Sequence, residues 1–176
     1  MKFKPLPPLE ELKEYLDYNP DTGIIIWKKI TSNRVKVGRE AGGYKPSLWC
    51  PTPRVEKAIG FKGAKYLLSR IIYFMYHEED PAELTIDHID GNPLNNKISN
   101  LRLATKGQNS CNKKLQINNK SGVSGVYFRN DINKWTASIQ VCGKKTTLGY
   151  WWTKKEAIQA RKEAEKKYFG KFRRQD

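Results

Sequence analysis

Residues 135–141 read WTASIQV, so that Trp135, Ala137, Ile139 and Val141 alternate with Thr136, Ser138 and Gln140. A period of two belongs to a strand with one apolar and one polar face, and no helix can satisfy it. Residues 126–129 alternate in the same way, with Val126 and Phe128 on one side and Tyr127 and Arg129 on the other. Cys142-Gly143-Lys144 supplies a turn into a third strand over 145–149. Thr153 and Glu156 then have the spacing of a capping box, which predicts a helix to about Tyr168 with Ala157, Ala160, Ala164 and Tyr168 inward and Gly170 as its stop. Three antiparallel strands and one helix account for residues 122–176 as a small α+β module, and what precedes them must fold by other rules.

Residues 1–112 show no such regularity. Residues 9–16 (LEELKEYL) have the three-to-four spacing of a short amphipathic helix, and 24–27 (IIIW) read as a strand. Between 35 and 63, Gly38, Gly42, Gly43, Pro46, Pro51 and Pro53 punctuate the chain and predict short strands and irregular loop. Residues 65–76 (KYLLSRIIYFMY) predict a core helix with Leu67, Leu68, Ile71, Ile72 and Met75 on one face, too short to cross a bilayer, and His77 falls at its end. Residues 85–105 predict two short strands, 85–88 and 101–104, around an Asn-, Gly- and Pro-rich loop, with a helix opening over 106–114. Residues 113–121 carry polar turn formers without periodicity and read as a basic linker between domains 1–112 and 122–176.

Charge follows the same division. The formal net charge is +15, and residues 113–176 hold 16 basic against 5 acidic side chains, a surplus of 11. A polyanion is the expected partner of such a segment, nucleic acid ahead of an anionic membrane, and no small-molecule substrate is expected. Cys50, Cys111 and Cys142 lie far apart with only His77 and His88 beside them, so neither zinc nor a disulfide framework is expected. No apolar run reaches transmembrane length and the start lacks a signal-peptide hydrophobic region, which predicts a cytoplasmic protein.

Residues 87–109 concentrate the groups that phosphodiester hydrolysis requires. Asp87 is a hard oxygen donor suited to Mg²⁺, His88 has the ordinary basicity of a general base near neutral pH, and Asn109 offers an amide oxygen. Neighbours on a strand point to opposite faces, so Asp87 and His88 share a site only if the backbone turns there, and Gly91-Asn92-Pro93 can make it turn. Asn95, Asn96 and Asn100, taken singly, read as loop chemistry.

The order Asp87-His88, Asn100-Leu101-Arg102, Asn109 resembles the ββα-metal motif of HNH endonucleases, particularly phage homing endonucleases, in the variant ending in Asn. The stretches LDYNPDTGIIIWKK and DPAELTIDHIDG are similar to the same proteins. The resemblance implies His88 as general base, Asn100 as the loop-bracing residue that orients it, and Asp87 and Asn109 as ligands of one Mg²⁺ or Mn²⁺ ion. It also implies a phosphate or packing role for Arg102. Ser69-Arg70 stands where many such proteins have a His-Arg pair.

Residues 124–160 resemble the DNA-binding domain of plant ethylene-response factors, which lays its sheet in the major groove of double-stranded DNA. Carried to matching positions, Ser124, Tyr127, Arg129, Ser138, Gln140, Lys145 and Thr147 become DNA contacts, joined by the basic Lys113, Lys114, Lys120 and Lys144. Core packing against the helix is the plain reading of Trp135, Trp151 and Trp152, and it is adopted for Trp135. The helix lysines are assigned to a solvated face. The expectation is a metal-dependent DNA endonuclease leaving 3′-hydroxyl and 5′-phosphate ends. A silent DNA-binding regulator or an RNA-binding protein are its alternatives.

Overall fold

A computed structural model describes residues 4–45, 56–112, 115, 119–141 and 143–174. Lys113, Lys114, Cys50, Cys142, Pro46, Pro51 and Pro53 therefore lie outside the described residues. The chain divides into two compact units, Met1–Thr105 and Lys106–Asp176.

In the first unit, α1 (Leu9–Tyr15) forms on the predicted face and buries Leu12. It ends one residue early, because Leu16 opens β1 (Leu16–Asn19), which pairs antiparallel with β2 (Ile24–Trp27) in the register Leu16↔Trp27 to Asn19↔Ile24. The connecting turn is held by Asn19, whose Oδ1 accepts from the amides of Asp21 and Thr22 at 3.0 Å each. Strands β3 (Gly43–Lys45), β4 (Glu56–Phe61) and β5 (Ala64–Leu67) make a three-stranded antiparallel sheet in that order.

The helix predicted from residue 65 starts later, as α2 (Leu68–His77). Lys65 and its neighbours are instead the return arm of a hairpin in which Phe61 faces Ala64. Lys62 and Gly63, both at positive φ (45° and 77°), form the two-residue turn, and that geometry twists with the strands. Turn chemistry outweighed the apolar spacing of Leu67 with the helix. From Leu68 onward the expected face is buried, with Leu68, Ile71, Ile72 and Met75 packed with Leu12, Leu16, Ile25, Trp27, Ile59, Phe61 and Leu101 in one core. His77 ends the helix with its ring 4.2 Å from that of Tyr73. The predicted strand pair is present as β6 (Thr85–His88) and β7 (Leu101–Ala104), in the register Thr85↔Ala104 to His88↔Leu101.

The second unit begins with the six-residue helix α3 (Lys106–Cys111). It continues as the sheet β8 (Val126–Arg129), β9 (Lys134–Val141) and β10 (Lys144–Trp151), with β9 central and both pairings antiparallel. A bulge between Thr147 and Gly149 shifts the β9–β10 register. The helix α4 (Lys154–Phe169) packs on the face bearing Val126 and Ala137, with Ala157 at the centre and Val123, Trp135, Leu148, Trp151 and Ile158 around it. The capping box is formed: Thr153 Oγ1 accepts from the Glu156 amide at 3.3 Å and Glu156 Oε2 accepts from the Thr153 amide at 3.1 Å.

One expectation here is corrected. Tyr168 is 50% exposed, and at mid-helix the inner face includes Arg161, only 6% exposed, which donates to the Ser138 carbonyl and, at 2.7 Å, to Glu165. Trp152 is 73% exposed, with the Lys134 ammonium 4.2 Å from its ring, so it is no core residue.

Candidate active site

Asp87 and Arg102 are directly opposed across β6 and β7, which fixes their encounter by register. Arg102 Nε donates to Asp87 Oδ2 at 2.8 Å, and its Nη2 lies 2.7 Å from the same oxygen. Asp87 is 3% exposed. Arg102, given a phosphate or packing role by the resemblance, pairs here with the carboxylate next to His88, as a buried carboxylate requires a charged or strongly hydrogen-bonding partner.

His88 is the last residue of β6, and the chain turns immediately after it. The Ile89 amide donates to the Asn100 carbonyl at 2.9 Å and the Gly91 amide to the His88 carbonyl at 2.8 Å. The loop that follows is an asparagine lattice. Asn100 Nδ2 donates to Asp90 Oδ1 at 3.0 Å and to the Asn95 carbonyl at 2.8 Å, while its Oδ1 accepts from the Asp90 amide at 3.0 Å. Asn95 Nδ2 donates to Asp90 Oδ2 at 2.8 Å. Partial burial pushes the Asp90 carboxyl up, but the hydrogen bonds from the Asn92 amide and the Asn95 and Asn100 side chains outweigh it, with help from His88, and hold it below its usual 3.8.

Asn100 thus braces the loop by way of Asp90, while a contact to the imidazole comes from Asn96. His88 Nε2 lies 3.1 Å from Asn96 Oδ1, and Asn96 is 3% exposed. The sequence reading missed this residue, since nothing in an Asn-Asn pair tells which side chain turns toward a histidine eight positions away.

Upstream, Arg70 is buried and secures the approach to β6. It donates to the Leu84 carbonyl at 2.7 Å and also to the Ala82 carbonyl, and lies 3.3 Å from Asp80. Burial pushes its guanidinium down from the ordinary value, with Asp80 opposing. Asn109 stands on α3, in the second unit. Asp87 suits a hard cation by donor type, although among the described residues no three His, Cys, Asp or Glu side chains gather as a ready cage.

On the second unit, the face of the sheet opposite α4 carries Tyr127, Thr136 and Tyr150 in one cross-strand row. Lys145 lies 5.5 Å from the Tyr127 ring, and the Arg129 guanidinium 5.7 Å from that of Tyr150. Arg129 is also paired with Asp131. Ser124, Tyr127, Gln140, Lys144, Lys145, Thr147 and Lys120 are exposed. Ser138 is not: it is 4% exposed and its hydroxyl donates to the Gly125 carbonyl at 3.4 Å, which removes it from the candidate contacts. Tyr150 and Lys134, absent from the sequence reading, join them by register.

A sheet pair that presents a buried aspartate and a terminal histidine over an asparagine-braced loop is the frame of an HNH site, and this chain belongs to the HNH endonuclease family. The family profile for HNH endonucleases matches residues 66–111. A protein of the SPbeta prophage of Bacillus subtilis, named as an HNH homing endonuclease, is 32% identical over 134 residues, covering 72% of this chain and 67% of that protein. An uncharacterized HNH endonuclease of Acanthamoeba polyphaga mimivirus is 36% identical over 115 residues, covering 65% of this chain and 59% of the relative. Protein 3.8 of Escherichia phage T7 is 42% identical over 65 residues, 37% of this chain and 54% of the phage protein. The chain thus spans between about half and two thirds of the length of these relatives. No solved structure matches. Among the described residues no helix is long and apolar enough to cross a membrane.

Proposed function

We propose that the protein is a divalent-metal-dependent DNA endonuclease that hydrolyses a phosphodiester, and that it serves as a homing endonuclease of phage type. The observation that carries this reading is the placement of His88 at the end of β6, beside a buried Asp87 and above a loop fixed through Asn100. His88 takes a proton from the attacking water as the water oxygen bonds to phosphorus. The bond to the 3′ oxygen breaks, and that oxygen is protonated from solvent, leaving 3′-hydroxyl and 5′-phosphate ends.

Asp87 and Asn109 are the proposed protein ligands of one Mg²⁺ or Mn²⁺ ion, which when bound supplies Lewis-acid stabilisation of charge on the phosphoryl and leaving oxygens. Water and substrate phosphate complete the shell of such an ion, so two protein donors suffice. Arg102 holds the Asp87 carboxylate within its strand pair. The second unit, read as an ethylene-response-factor-like module, positions double-stranded DNA with Tyr127, Arg129, Gln140, Lys145 and Thr147.

The test is cleavage of phage DNA by the protein and by His88→Ala, with and without Mg²⁺. Cutting that requires the metal and is lost in the variant, by about 10²-fold or more, is the expected result. Metal-dependent cutting that survives His88→Ala removes the histidine from its role. One observation favours a second reading, a DNA-binding protein that does not cut: the Asp87 carboxylate is closed by Arg102. Duplex binding without strand breaks under any divalent metal would establish it.

A further inference from the structure

We infer that the β1–β2 hairpin is part of the active-site machinery, acting through Asn96 to set which nitrogen of His88 is the base. The inference rests on the reading of His88 given above.

The contact begins at the imidazole. An amide oxygen can only accept, so the 3.1 Å approach of Asn96 Oδ1 to Nε2 requires the hydrogen of a neutral His88 ring to sit on Nε2. Nδ1 then carries the lone pair. The choice matters, because a base acts only through the nitrogen that holds a lone pair toward the water, and the hydrogen bond at the other nitrogen selects the tautomer.

Asn96 does not hold itself. Its backbone carbonyl accepts from the Tyr18 hydroxyl at 2.8 Å, across 78 positions of sequence. Burial, with Tyr76 nearby and a backbone hydrogen bond opposing, pushes that hydroxyl up to about 12, so it remains a donor at any working pH. Two residues on, the Ile98 amide donates to the Pro20 carbonyl at 3.3 Å. Between these bonds Gly23, at φ +74°, lies against the loop so closely that a Cβ there would stand 2.5 Å from the Lys97 nitrogen and 2.7 Å from the Asn96 carbonyl carbon. Backbone on both sides leaves nothing flexible to yield. The hairpin tip and the asparagine loop are thus in direct backbone contact, held by two hydrogen bonds, and the loop carries the partner of the base. Asn96 and Tyr18 are positioning residues: neither is placed against substrate.

The chain has only two histidines, so ring nitrogens can be read in the whole protein by ¹⁵N–¹H correlation without crowding. In the metal-free wild type at alkaline pH, His88 should show hydrogen on Nε2. A ring with its hydrogen on Nδ1 overturns the inference. Asn96→Ala should lose the tautomer preference and lower kcat by about 10²-fold. Tyr18→Phe, which removes one hydroxyl and no charge, should lower kcat by up to about 10-fold. Both should leave KM for DNA within about twofold. Unchanged tautomer and unchanged kcat in Tyr18→Phe refute the hairpin's part, even if Asn96→Ala fails to fold. The tautomer is readable whether or not the protein cuts DNA, so a nuclease reading that fails and a positioning reading that fails give different results.

Discussion

Asp87 and Arg102 place an ion pair inside a two-stranded ladder, with side-chain exposures of 3% and 14%. Removing one partner leaves the other charge without its counterion in a site water scarcely reaches. Arg102→Met should therefore lower unfolding free energy by about 3 kcal/mol, seen as a lower urea midpoint at unchanged slope. A change within about 0.5 kcal/mol would show that the pair is effectively solvated. Asp90 gives a pH signature at the same scale. Its folded pKa is depressed, so its contribution is present above the unfolded value and lost as pH falls through the folded one, below 3.8. Acid titration of stability should show a steeper loss in this range for wild type than for Asp90→Asn, and coincident curves would refute the brace. Of these residues the sequence disclosed identities but not partners. Asp87 and His88 could be singled out by their chemistry and Asn100 by the resemblance to the HNH motif, whereas the pairing of Arg102 required the strand register and the contact of Asn96 required the path of a loop.

Elements were legible where one local signal governed. The strands at 85–88 and 101–104 and the sheet beyond residue 126 emerge at their predicted places because alternation and turn residues agree. The start of α2 was misread because Leu67 fits the apolar helix stripe equally well, and only the Lys62-Gly63 turn decides against it. Strand β1 was invisible, since its sequence LDYN has no strand pattern and owes its extension to pairing with β2. Helix α4 is governed locally, and its capping box can be tested in isolation from the rest. Thr153→Ala should destabilise the second unit by about 1 kcal/mol, visible as a lower thermal midpoint with DNA affinity retained. Loss of affinity together with stability would move Thr153 from a structural to a binding role.

For the whole molecule, the surplus of positive charge in residues 113–176 predicts how binding responds to salt. If about 6 to 10 phosphates are neutralised, affinity should fall roughly 10³- to 10⁵-fold between 50 and 200 mM salt. A chain ending at residue 112 should show a flatter dependence, and an equal slope in both proteins would refute the division between cutting and positioning. The long reach from Tyr18 to Asn96 carries a different kind of consequence. Contacts so distant along a chain form late in folding, after the loop between them has been closed at an entropic cost. A partly folded chain would therefore possess every residue of the recognised segment, 66–111, and still lack an aligned imidazole. On the proposed reading, an aligned base would arrive at the end of folding rather than with the motif.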